Sequence, residues 1–137
     1  IISWRETEDN RYLITLAGVC RFRVRAELDS PNAYRRVKSD FAPFVGDLAS
    51  ADDSDFPRER LLEALKGYLF RRDMKADWQS VATAPAETLV NALAMMCPFE
   101  PAEKQALLEA PGWPERVGTL VALLEMAAAP PGTQTLN

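Results

Sequence analysis

The hydrophobic pattern of this chain changes period once, and that change limits what it can fold into. Up to residue 45 apolar side chains recur at every second position. From residue 56 they recur at every third or fourth. A chain that does one and then the other builds strands first and helices afterwards, which is an α+β order. The clearest alternation is Val19-Cys20-Arg21-Phe22-Arg23-Val24-Arg25. Successive side chains of a strand point to opposite faces, so Cys20, Phe22 and Val24 are expected on a buried face and Arg21, Arg23 and Arg25 on a wet one.

Two further strands are predicted upstream, over residues 4–8 and 11–16, joined at Asp9-Asn10, whose residue types tolerate positive φ. Gly18 allows a bend before the alternating run. The turn signal Ser30-Pro31-Asn32 precedes another strand over residues 34–41. Residues 46–55 are small and acidic and read as a linker between a β-strand subdomain, residues 1–45, and a helical bundle, residues 56–128. Asp55 ahead of Pro57 is a helix-start signal, with Leu61, Leu62, Leu65 and Leu69 following at helical spacing. A short helix is predicted over residues 77–81. Another runs from Pro85, with Leu89, Val90, Leu93 and Met96 as its apolar stripe, until Pro98 ends it. Pro101 and Pro114 open two more, carrying Leu107 and Leu108, then Val117, Leu120, Val121 and Leu124. Residues 129–137 read as a flexible tail, with little apolar surface to offset ordering entropy.

With 137 residues, the chain has the size of one domain or two small cooperating ones. No stretch approaches the roughly 20 apolar residues of a membrane span. The net charge of −4 divides evenly, because residues 1–55 and residues 56–137 each carry 8 basic and 10 acidic side chains. Neither half is a basic arm, so nucleic acid is an unlikely partner. Cys20 and Cys97 form no CxxC pair and fit reduced thiols in a cytoplasmic protein. The start at Ile1, without Met or a signal-peptide pattern, reads as a cut.

The chain contains no histidine, which excludes a Ser-His-Asp triad, a Cys-His pair and a histidine metal site. Neither GxxxxGK[ST] nor GxGxxG occurs, and no cofactor is expected. A Ser-Lys dyad would need Lys38, Lys66, Lys75 or Lys104 in a desolvated place, whereas lysines are ordinarily solvated. Asp52, Asp53 and Asp55 lack the ligand spacing of a calcium loop and suit a flexible acidic linker better. Arg21, Arg23 and Arg25 form either a ladder for an acidic peptide or phosphate, or the solvent face of a strand, paired with Glu6 or Glu8. Trp78, Phe99 and Trp113 fall at or near helix ends, where aromatic side chains serve as partner anchors or close a core.

Residues 12–24, Tyr12-Leu13-Ile14-Thr15-Leu16-Ala17-Gly18-Val19-Cys20-Arg21-Phe22-Arg23-Val24, resemble the strand, glycine, arginine, strand pattern of the Lon protease N-terminal domain family, with Gly18 and Arg21 at the matching places. Glu103-Lys104-Gln105-Ala106-Leu107-Leu108-Glu109, then Arg116 and residues 120–125, resemble that family's later helices. The family's proline-rich opening strand and its Phe-Glu-Pro-Arg-Tyr-like segment do not occur. The resemblance implies a PUA-like β-barrel, here partial and N-terminally truncated, followed by a helical subdomain, in a module that recognises protein substrates. The expected function is therefore non-catalytic recognition of unfolded or partner polypeptides, in a groove between strands and helices. The alternative is an RNA-binding PUA-like module. Unpaired strand edges of a partial barrel would also invite homodimerisation.

Overall fold

The computed structural model describes residues 1–49 and 54–129 and is α+β. Its contacts divide the chain into two compact units, Ile1–Ser50 and Ala51–Asn137.

The first unit holds two antiparallel hairpins. Strand β1 (Ser3–Glu6) pairs with β2 (Tyr12–Thr15), with Trp4 opposite Ile14 and Glu6 opposite Tyr12. The turn is wider than a two-residue one: Thr7 donates its N–H to the Arg11 carbonyl at 2.8 Å, and Asn10 takes the left-handed conformation at φ 59°. Asparagine tolerates that region because its short polar side chain bonds locally. Strand β3 (Arg23–Leu28) pairs with β4 (Arg36–Asp40), and the register shifts at Arg25 between Val24 and Ala26. A 3-10 helix follows at Ala42–Leu48 and takes up the start of the expected linker.

The alternating run departs from its prediction. The strand starts at Arg23 rather than Val19, and Phe22 and Val24 remain 47% and 56% exposed. No described residue of this unit is buried. A two-stranded ribbon has no second layer to cover a face, so alternation in sequence does not become burial. Among the described residues the strands form two separate two-stranded sheets and close no barrel.

The core lies in the second unit, where five helices share it: α1 (Arg58–Arg71), α2 (Trp78–Thr83), α3 (Ala86–Met96), α4 (Pro101–Glu109) and α5 (Trp113–Ala128). Leu61, Leu65, Tyr68, Val90, Leu120 and Leu124 are its largest fully buried side chains. At roughly 25 cal/mol per Å², burying each contributes about 1.5–3 kcal/mol before entropy is charged against it. The longest interface is between α1 and α5. Phe56 and Trp113 meet at 6.0 Å just ahead of or at the two helix starts, and Gly67 faces Ala128 near their ends, so the helices run in the same direction.

Local signals set the helix ends. The Asp77 carboxylate accepts the N–H groups of Gln79 and Ser80 at 3.1 and 3.3 Å, capping α2. The carbonyls at the other end of α2 are met by Arg58, which donates to Ala82 at 3.1 Å and to Ala84 at 2.6 Å. Asp55 is not the cap of α1: that place belongs to Pro57, without a side-chain bond. Two stripe residues also turn outward, Met96 at 79% exposure and Leu108 at 53%. Their neighbours take the buried places instead, Cys97 at 4% and Leu107 at 3% exposure, each one position and so about 100° away round the chain. The expected tail lies outside the described residues from 130 onward, as do residues 50–53.

Candidate functional site

Each arginine of the predicted ladder has a different surrounding. Arg21 precedes β3 and turns inward: its Nε and Nη2 donate to the two carboxylate oxygens of Asp47 at 2.7 Å each, and its backbone N–H adds a third bond at 3.0 Å. The guanidinium also lies 4.5 Å from the centre of the Phe44 ring, with 12% of the side chain exposed. Arg25 sits at the bulge and donates from Nε to Asp40 at 2.9 Å. The Ala42 N–H and then Arg25 hold the Asp40 carboxyl below the ordinary carboxylate range. Arg23, exposed, stands across from Asp40 in register. The partners are thus Asp47 and Asp40, not Glu6 or Glu8. Arg35 is likewise held by Glu27, at 2.7 Å. An RNA-binding face on this unit would need Arg21, Arg23, Arg25, Arg35, Arg36 and Lys38 to converge, and three of these six, Arg21, Arg25 and Arg35, are paired with carboxylates within the unit.

The aromatic candidates separate too. Trp78 opens α2 with 40% of its surface exposed, and the Lys66 ammonium lies 5.8 Å from its ring centre. Trp113 is half-buried against Phe56. Phe99 is 6% exposed and packs on Tyr68 at 5.7 Å, so it closes the core and offers no surface to a partner. Its position between Pro98 and the cap of α4 leaves it no helical period from which burial could be read.

The described residues offer little to acid-base chemistry. None of them with a charged side chain is buried, and Lys38, Lys66, Lys75 and Lys104 are all exposed. No group of three metal-ligating side chains comes together among them. A depression of about 830 Å³ lies along α1 beside the end of α5, between Glu59, Glu63, Lys66, Gly67, Glu125 and Ala128, and is open to solvent. The Cys97 thiol is buried, and burial pushes its pKa up, away from nucleophilic thiolate chemistry. Cys20 donates its thiol to the Phe44 carbonyl at 3.2 Å.

Sequence reasoning missed the most exposed aromatic side chain, Phe70, at 87%. Its signal was present: two residues on from Tyr68, it lies about 200° round the helix from the buried stripe. None of the described helices is long and apolar enough to cross a membrane.

What the site contains, then, is exposed apolar surface and paired charge. The chain belongs to the ATP-dependent protease La (LON) substrate-binding domain family, whose model matches residues 1–126. Comparison with curated proteins and with solved structures gives no match. The family is defined by substrate binding and not by the protease's catalytic domain.

Proposed function

We propose that this chain is a non-catalytic module that recognises polypeptide segments, unfolded or folded partners alike, without a cofactor. The observation that carries this is the β1–β2 hairpin. On one face Trp4, Tyr12 and Ile14 stand 68%, 59% and 48% exposed, with Trp4 and Tyr12 rings in edge contact at 5.7 Å. Contiguous exposed apolar side chains on a ribbon with open edges are a surface suited to an extended peptide, which adds a strand and packs alternate side chains. Family membership supports the same conclusion. In this reading the two hairpins are strands of a partial PUA-like barrel, the helices are its companion bundle, and two free thiols fit a cytoplasmic setting. Strand edges that accept a peptide also accept a second copy, so self-association is part of the proposal.

The test is fluorescence anisotropy with a labelled, denatured model protein at two salt concentrations, using the chain and its Trp4→Ala/Tyr12→Ala variant. Binding that survives salt and weakens about tenfold in the variant supports the proposal, since apolar anchors carry most of such affinity. No binding by the parent chain overturns it. The RNA-binding alternative loses support from the pairing of Arg21, Arg25 and Arg35 with carboxylates.

A further inference from the structure

The corner where α1 ends and α2 begins concentrates basic charge as no other stretch of the second unit does. Residues 66–75 carry Lys66, Arg71, Arg72 and Lys75 against Asp73 alone, a local balance of +3 (4 − 1) in a protein of net charge −4. The other four basic side chains of the second unit are occupied. Arg58 holds the carbonyls at the end of α2, Arg60 holds Glu125 at 2.9 Å, Lys104 reaches the Met95 carbonyl at 3.3 Å, and Arg116 reaches Asn91 at 3.5 Å. The corner cations make no ion pair among the described residues. Lys66 and Arg72 lie against aromatic rings instead, those of Trp78 and Tyr68.

Apolar surface stands among these charges. Phe70 is four residues from Lys66 and so on the same helix face, and the Lys66 ammonium brings Trp78 to that face. Met74, just past the end of α1, is 40% exposed. The chain turns this corner through Asp73 at φ 50°, a left-handed position that favours glycine. Strain of this kind persists where the surroundings hold it, and often marks a functional surface.

We propose that this corner docks an acidic polypeptide segment carrying apolar side chains. Phe70 and Trp78 take the apolar groups, while Arg71, Lys75 and Lys66 meet the carboxylates. Unpaired cations ringing exposed aromatics complement such a segment in both charge and polarity. A protein is favoured over a nucleic acid because the corner carries four cations in a chain of sequence pI about 4.9, too few for a phosphate-tracking groove. The proposal rests on the reading of the chain as a polypeptide-recognition module and gives that module a second, chemically distinct surface.

The experiment uses the full chain and a fluorescein-labelled peptide of Asp and Glu interspersed with Leu and Phe. The same peptide with Lys replacing its acids and a single-stranded oligouridylate serve as competing probes. Binding of the acidic peptide, weakened about tenfold or more by Phe70→Ala and by Arg71→Glu/Lys75→Glu, and weakened by salt, is the expected result. All substituted side chains are exposed, and an unchanged helical circular dichroism signal establishes that the variants fold. Equal binding of the lysine peptide, tighter binding of the oligouridylate, or no effect of the variants overturns the proposal. Denatured model protein is measured alongside. If it binds while the acidic peptide does not, the corner proposal fails and the recognition module stands; if neither binds, both fail.

Discussion

Arg21 and Asp47 are joined by two parallel hydrogen bonds of 2.7 Å, with only 12% and 18% of the two side chains exposed. This fork ties the segment before β3 to the 3-10 helix 26 residues later, in a unit none of whose described residues is buried. Charge-assisted bonds of this geometry contribute about 1.5–3 kcal/mol, and removing one partner strands the other in a poorly hydrated place. Arg21→Ala should therefore weaken the first unit by about 2 kcal/mol, and Arg21→Lys should recover only part of that because an ammonium has no planar fork. Hydrogen exchange of the β3 and β4 amides reads the effect. Unchanged protection would show that the fork holds nothing.

The hydroxyl of Tyr68 is buried without a hydrogen-bond partner among the described residues. A buried unsatisfied polar group costs about 1–3 kcal/mol, and the ring itself packs on Phe99. Tyr68→Phe deletes the orphan and keeps the packing, so the variant should be equally stable or up to about 1 kcal/mol more stable. Urea unfolding followed by helical circular dichroism checks it. Loss of more than about 1 kcal/mol would reveal a partner for the hydroxyl, such as a bound water.

Burial raises the pKa of both Cys97 and Tyr68 above their ordinary values of 9.0 and 10.0. Below pH 9 both are protonated in the folded and the unfolded chain, and neither contributes to pH dependence. As pH rises further the unfolded chain releases protons that the folded chain retains, so stability falls, first through Cys97 and then through Tyr68. An unfolding series from pH 7 to about 11 should show this decline, and Tyr68→Phe should flatten the limb above pH 10.

Asp73 occupies the left-handed position that ends α1, where Met74 donates to the Leu69 carbonyl at 2.9 Å and Asp73 to Phe70 at 3.3 Å. Two things oppose an aspartate there: the backbone conformation, which glycine adopts freely, and the negative end of the helix dipole. Asp73→Gly should stabilise the second unit by about 0.5–1 kcal/mol. A thermal melt lowered by this substitution would contradict the capping account.

How much of this was legible beforehand depends on the physics of each part. The helices of the second unit were readable because prolines mark their starts and leucines repeat at their period; α3 and α5 begin within a residue or two of Pro85 and Pro114. Burial was less readable. Leu108 and Met96 stand next to Leu107 and Cys97, which take the buried places, and Phe99 has no helical neighbours to give its direction. The strands were readable as strands, yet Phe22 and Val24 are exposed because burial needs a second layer that local alternation does not encode. The alternation places Arg21 on a wet face, whereas it turns inward to Asp47, which lies in what reads as a linker. The unpaired cations of the α1–α2 corner are visible in composition, but only contacts show that the other four basic side chains of the second unit are occupied.

Gly67 and Ala128 are the close point of two helices that run in the same direction, where a Cβ at position 67 would come within 3.1 Å of the Cβ of Ala128. Same-direction neighbours cannot be joined by a short turn, and here α2, α3 and α4 fill the connection. The most extensive helix–helix interface therefore joins segments separated by about as many residues as a small domain contains, so that loop must close before the interface can form. Lengthening the α2–α3 or α3–α4 connections should then slow folding only slightly, because closure entropy grows with the logarithm of length. Gly67→Val, which forces the two helices apart, should act on the folded state and speed unfolding.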